Sequence, residues 1–385
     1  MRPWKDILME VLNSAEEKDY SGYSKFDALN SPFLNALSLG NKWLRFLFIQ
    51  VIKECPFHIR PFLGVEGSRN PKGIALFARA YLSLYEKTDA PVYLQKAESL
   101  IEWLLNHPSP DFKNLCWGYN FIWQSTILLQ DQFVPNLVVS AFVGEALVQA
   151  YRITGKERYL GAARSVAGFM IEDLPVLFES DTERAISYVP TEGDVVVLNI
   201  QVLTGAFLTK IWRETGEERF MEKARRHLNY AVNRRTRDYA WYYTHPRDKS
   251  LIHHDNYHTG GVLDGLLEYY EESGDGRYSD IYWKGLDYYQ RNLFEPDGAP
   301  RWMNNKRYPF DIHGAAQGII SFIKAGRHRG QYRSQAEKIA AWTMKNLYRR
   351  ETRDFAYRKG RWMKWNYSLM RWCNAWMARA LAELI

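Results

Sequence analysis

A repeat constrains this chain more than any other feature of its sequence. Long amphipathic stretches end in a turn and are followed by an aromatic-x-x-x-Ala signature that opens a second helical stretch. The signature stands at Tyr93/Ala97, Tyr159/Ala163, Phe220/Ala224 and Tyr332/Ala336, and a fifth copy at Tyr278 has Tyr282 in place of Ala. Turns ahead of four copies contain Thr154-Gly155-Lys156, Thr215-Gly216-Glu217, Ser273-Gly274-Asp275 and Gly330. Gly there supplies the left-handed backbone on which helices end. A two-helix unit cannot bury its own apolar face, so such units must stack on one another.

The first helices of the pairs span about residues 71–85, 136–153, 198–215, 256–272 and 312–326. They are rich in small residues, among them Gly144, Gly205, Gly260, Gly265 and Gly314-Ala315-Ala316. Small residues on several faces let backbones approach closely, as an inner helix packed on both sides requires. Second helices carry charge along one face and read as an outer ring. A sixth pair forms if a helix at 369–384 packs with one near 37–54, which closes the ring. The predicted fold is all-α, an (α/α)6 toroid of six helical hairpins. No Ser-, Pro- or Gly-rich linker divides the chain, so residues 1–385 are expected to form one domain.

Composition narrows what such a ring handles. The net charge of +7 comes from 51 basic against 44 acidic residues. The densest basic run, residues 327–333, falls at a turn, reads as a solvated face and brings no nucleic-acid motif with it, so no nucleic-acid partner is expected. Cys55, Cys116 and Cys373 are too scattered for a disulfide framework or a C-x-x-C site. The N-terminus is charged throughout and no window reads as a membrane span, which leads us to expect a soluble, cytoplasmic protein.

Aromatic residues make up 15% of the chain, with 14 Trp and 25 Tyr. Many fall between an outer helix and the next inner one: Trp117-Gly118-Tyr119, Ser187-Tyr188, Trp241-Tyr242-Tyr243, Arg301-Trp302 and Phe355-Ala356-Tyr357. In a toroid all these linkers lie on the face where the inner helices begin, so the aromatics gather at one mouth. A flat apolar face with a polar tip suits a sugar.

Inner helices are expected to start at Asn70, Asn136, Asn199, Asn256, Asp311 and Asn366, six Asx residues in matching register and thus a capping signal. Two starts carry more. In His254-Asp255-Asn256-Tyr257-His258 and Asp311-Ile312-His313 an Asx-x-His unit opens the helix, which makes Asp255, His258, Asp311 and His313 the candidate acid and base groups. The first string also resembles H-E-x-x-H, but a cap at Asn256 leaves His254 ahead of the helix and breaks the two-ligand geometry, so neither metal nor cofactor is expected. Candidate substrate-binding residues are Asp27, Arg60, Trp117, Tyr119, Trp123, Gln124, Asn256, Gln317, Arg371 and Trp372. Of these, Arg60 and Arg371 suit a ligand carboxylate. Glu192 and Asp194 are spare acids.

The chain resembles the six-hairpin (α/α)6 toroid, glycosidase-like superfamily of glycoside hydrolases, polysaccharide lyases and sugar epimerases. More narrowly, Phe26-Asp27-Ala28-Leu29-Asn30-Ser31-Pro32, Asn70-Pro71-Lys72-Gly73, Cys116-Trp117-Gly118-Tyr119-Asn120, Asn256-Tyr257-His258-Thr259-Gly260 and Tyr308-Pro309-Phe310-Asp311-Ile312-His313 look like a poorly characterised family of polysaccharide-biosynthesis proteins. The resemblance implies a cytoplasmic role in making or trimming surface glycans and an oligosaccharide or polysaccharide substrate, with acidic sugars among the candidates. Three functions compete: glycoside hydrolysis with Asp311 and Asp255 as the carboxyl pair, which leads; epimerisation or elimination at a sugar carbon by His258 and His313, or by Tyr257; and glycan binding without turnover.

Overall fold

The structure, a computed structural model, describes residues 4–125, 129–250 and 252–385. Its helices in chain order are α1 (Trp4–Glu16), α2 (Pro32–Leu37), α3 (Lys42–Glu54), α4 (Pro71–Thr88), α5 (Pro91–Leu105), α6 (Leu137–Thr154), α7 (Glu157–Gly168), α8 (Leu198–Thr215), α9 (Glu218–Asn233), α10 (Asn256–Ser273), α11 (Ser279–Leu293), α12 (Ile312–His328), α13 (Arg333–Asn346) and α14 (Trp376–Leu384). Helices α4, α6, α8, α10, α12 and α14 each pack on the next, and α14 returns onto α4, so an inner ring closes. Around it α5, α7, α9, α11 and α13 each pack on the inner helix that precedes them. The architecture is the expected (α/α)6 toroid.

The repeat residues show why. Tyr159, Ala163, Phe220, Ala224, Tyr278, Tyr282, Tyr332 and Ala336 are all buried where an outer helix meets its inner partner. Helices α6, α8 and α10 stop on Gly155, Gly216 and Gly274, with φ of 67°, 69° and 71°. The small inner residues are there for contact. A Cβ on Gly144 would stand 2.5 Å from the Phe207 ring, and one on Gly265 would stand 2.7 Å from Val202. By length and composition α6 could cross a membrane, a segment the sequence reading passed over, but here it is an inner helix with most of its residues buried.

The sixth pair differs from expectation. It is α1, not the helix at 37–54, that packs on α14. Helix α3 lies instead over the mouth, against the turn Asp27–Asn30 and the strand Trp123–Gln124. A separate small core of Ala28, Leu29, Leu34, Ile49 and Ile52 holds it there. Its last carbonyls, which no helical N–H can reach, accept from Arg358, Trp365 and Tyr367, at 3.3 Å, 2.9 Å and 3.2 Å.

Further down the ring the inner helices are tied together by buried charge. Lys210 on α8 bonds Glu145 on α6, at 2.6 Å and 2.7 Å, and Glu268 on α10 at 2.8 Å. Lys324 on α12 bonds the other oxygen of Glu268, Arg79 on α4 lies 3.4 Å from Glu145, and Arg379 on α14 pairs with Glu383. Every inner helix contributes. Burial raises the Glu268 pKa, but Lys210 and Lys324 together overcome this and hold the carboxyl well below its ordinary value.

Neutral imidazoles are also built into the fold. Burial pulls His227, which bonds Gln201 at 3.0 Å, down to about 3, and His254 down to about 4. Above pH 6.5 both rings are neutral folded or unfolded and contribute nothing to pH dependence. As pH falls below 6.5 only the unfolded chain takes up these protons, so folding loses up to about 1.4 kcal/mol per pH unit per ring until the folded value is reached. The melting temperature is therefore expected to fall steeply between pH 6.5 and 4.5, and a flat profile by circular dichroism would contradict this.

Candidate active site

Two helix starts build the chemical centre. Asp255 caps α10, one residue before the expected Asn256, and its position is fixed by an antiparallel bridge to Met303. One carboxylate oxygen accepts the His258 amide at 3.4 Å; the other lies 3.0 Å from His258 Nδ1. An ionised carboxylate only accepts, so Nδ1 carries the proton and Nε2 is the nitrogen left for chemistry. Asp311 caps α12 at the end of the short strand Phe310–Asp311, which pairs with Arg358–Lys359. Its Oδ1 accepts from the His313 amide at 2.9 Å and from Trp372 Nε1 at 2.8 Å. Its Oδ2 is buried without a hydrogen-bond partner.

Facing that oxygen is Lys25, Nζ 3.9 Å away and almost wholly buried. The ammonium sits in an aromatic cage, 3.9 Å from the centre of the Trp372 ring, 5.2 Å from Trp302, 5.8 Å from Tyr357 and 6.0 Å from Tyr257. Burial pulls its pKa down to about 7 against the opposing pull of Asp311. The loop that delivers Lys25 is clamped by Asp27, which accepts the Ser24 amide and Arg60 Nε, both at 2.7 Å, while Arg60 also reaches the Lys25 carbonyl at 3.4 Å.

His313 lies against the same aromatics. Its ring stacks on Tyr257 at 4.5 Å and meets Trp372 and Trp376 at 4.5 Å and 4.3 Å. Tyr257 also touches His258, at 4.4 Å, and so joins the two helix starts into one site. Burial first, then the charges of Lys72, Arg371 and Lys25, hold the His313 pKa well below its usual value, and its Nδ1 has no partner. Burial and the nearby Asp255 and Asp311 push the Tyr257 phenol well above the usual range.

The four expected acid and base residues thus come together, but several expected binding residues have other tasks. Trp117 is fully buried and donates Nε1 to Leu104 O at the end of α5; Trp241 does the same to Ala231 in α9. These linker Trp side chains close outer helices and do not line the mouth. Asp27 and Arg60 serve each other and the Lys25 loop. Asn256 donates to Leu293 O and accepts from Tyr289, and Gln317 bonds Asp264 and Ser321 below the mouth. Gln124 is buried in a hairpin with Leu129–Gln130, and Trp123 stands half-buried beside Phe26 and Tyr188. Tyr119, Arg371 and Trp372 do meet, with the Arg371 guanidinium 5.0 Å and 5.3 Å from the two rings.

Asn70, Asn136 and Asp311 are caps as expected. The α8 cap is Val197 rather than Asn199, and Asn366 is exposed ahead of the Met370–Ala375 turn that leads into α14. His254 bonds Tyr288 at 2.6 Å and takes no part with His258; among the described residues no three His, Cys, Asp or Glu side chains form a metal-binding group. Glu192 and Asp194 are exposed. Sequence reasoning missed Lys25 and Lys72 and left Trp302 and Tyr357 as unassigned mouth aromatics. For the lysines the signal was position, since Lys25 directly precedes the string that begins at Phe26 and Lys72 lies within the one that begins at Asn70.

The fold is that of the six-hairpin, glycosidase-like toroids, and a match to a glycoside hydrolase catalytic domain marks a carbohydrate-active, glycoside-hydrolase-like enzyme. Residues 129–284 match the model of the beta-L-arabinofuranosidase GH127 catalytic domain. The chain is similar in structure to a sugar epimerase from a ruminal bacterium, with a TM-score of 0.66, 15% identity, and 83% of this chain and 89% of that one covered. It is similar also to a glycoside hydrolase family 76 mannosidase from Bacteroides thetaiotaomicron (0.65, 13%, 99% and 96%) and to the cellobiose 2-epimerase of Bacillus thermoamylovorans (0.62, 12%, 82% and 88%). No curated protein matches the sequence.

Proposed function

We propose that this enzyme cleaves a glycosidic bond in an acidic oligosaccharide or polysaccharide held at the mouth, and that it does so in the cytoplasm during the making or trimming of surface glycans. The observation that carries the reading is Asp311, one oxygen fixed by two donors and the other buried, unpartnered and 3.9 Å from Lys25. That oxygen suits a charge developing on a sugar ring, or the proton of an attacking water. His258 in its protonated form, paired with Asp255, donates from Nε2 to the leaving oxygen. The pair first expected, Asp311 with Asp255, thereby becomes Asp311 with an Asp255-backed imidazole. Trp302 and Tyr257 offer half-buried faces for the sugar.

One observation favours a second reading, epimerisation or elimination. His258 Nε2 and the partnerless Nδ1 of His313 flank Tyr257, which is the arrangement a proton exchange at a sugar carbon needs. Incubation with a panel of neutral and uronic oligosaccharides in deuterium oxide separates the two. Hydrolysis yields new reducing ends with no deuterium on carbon, as we expect; deuterium at a sugar carbon would overturn hydrolysis for the second reading. Neither change with any glycan, together with unaltered Trp emission, would overturn both.

A further inference from the structure

Lys72 and Arg371 are the two charged side chains of the mouth that neither reading uses. They are 5% and 2% exposed, and no described residue gives either side chain a hydrogen bond or an ion pair. What surrounds them is aromatic: Lys72 Nζ lies 4.0 Å from the centre of the Phe142 ring and 5.1 Å from that of Trp376, and Arg371 lies over Tyr119 and Trp372. The two groups are close. That closeness is of the segments that carry them, since a Cβ on Gly73, next to Lys72, would stand 3.3 Å from the Arg371 Cβ, and the two side chains reach rings, Trp376 and Trp372, that both touch His313.

Burial of a lone cation is costly, and a protein ordinarily meets that cost with a carboxylate. A lysine can escape by losing its proton, and burial, followed by the charge of Arg371, does pull the Lys72 pKa well down. A guanidinium cannot. The surroundings make matters worse, since Lys72 lies in the first turn of α4 and Arg371 in the first turn of the Met370–Ala375 segment, where backbone N–H groups already present positive charge. The two cations meet beside His313, whose imidazole both disfavour from charging. The aromatic faces offset only part of the cost of burying these cations, and an anion would satisfy every member of the cluster.

We infer that Lys72 and Arg371 form a subsite for an anionic substituent of the sugar, with the Arg371 guanidinium and Lys72 ammonium holding the oxyanion and the Nδ1 side of His313 completing it. A planar carboxylate, as in a hexuronic acid, matches the guanidinium fork, and a sugar phosphate offers the same charge. This rests on the mouth being a sugar site, but binding is read on the resting protein, so it is tested whether or not a glycosidic bond is cut.

Calorimetry and thermal melting with glucuronate, glucose 6-phosphate and glucose provide the test. At least one anionic sugar should bind and raise the melting temperature at a concentration where glucose does not, and the stronger of the two identifies the anion as carboxylate or phosphate. Lys72→Met and Arg371→Gln should each weaken that binding by at least about tenfold, the loss of one charge-assisted hydrogen bond. Lys72→Met removes a buried charge and keeps the volume, so it should melt no lower than the parent, which guards against a folding artefact. Equal binding of glucose and both anionic sugars, or undiminished anion binding by Lys72→Met, would overturn the inference.

Discussion

Asp311→Asn is expected to lower kcat by about 10²–10⁴-fold, the range in which a proton-transfer group contributes, while the melting temperature stays near that of the parent. The fold should tolerate the change. The amide keeps an oxygen that can accept from Trp372 Nε1 and the His313 amide, the two bonds that fix the side chain and cap α12. What is lost is the negative charge on the buried, partnerless Oδ2, and with it the counter-charge of Lys25. With a pKa of about 7, Lys25 can shed its proton rather than remain an unpaired buried cation. His258→Ala, which removes the Nε2 oriented by Asp255, should cause a loss of the same order. Full activity in both variants, measured on the glycan that the panel identifies, would place the chemistry elsewhere in the ring.

Glu268→Ala should produce the largest stability loss of any single substitution considered. It leaves Lys210 and Lys324 without the carboxylate they share. Breaking a buried pair by removing one partner costs about 3–5 kcal/mol, or a drop in melting temperature of roughly 4–6 °C for a chain of this size. Glu145 still binds Lys210 and Asp264 lies 3.6 Å from Lys324, which keeps the loss toward the lower end. Replacing Glu268 by Leu together with Lys324 by Met should recover part of it. A melting temperature unchanged by Glu268→Ala would show that these buried charges contribute no net stability.

The ring was legible because its units repeat: an aromatic-x-x-x-Ala signature with Gly turns reports outer and inner helices directly. The sixth pair has no copy of that signature, so nothing in the repeat marks α1 as the partner of α14. The expected partner, the helix near 37–54, leaves Trp43, Leu47 and Val51 exposed. At the site, Asp255, His258, Asp311 and His313 stood out because two helix starts share a pattern. Lys25 and Lys72 did not, since lysine is almost never buried and nothing local marks the exception. Trp117 misled for the opposite reason. An aromatic in a linker reads equally as a sugar platform or as a cover for the helix before it, and only the Nε1 bond to Leu104 decides.

The buried ion pairs also bear on how a ligand would reach the site. Lys324 follows His313 by eleven positions on α12, about 17 Å down the ring. At that level Glu145, Lys210, Glu268 and Lys324 tie four inner helices to one another through buried ion pairs. If the proposed site at Asp311 is served from the mouth alone, a spent molecule has to back out before a fresh one enters, and added product is expected to compete with its own precursor.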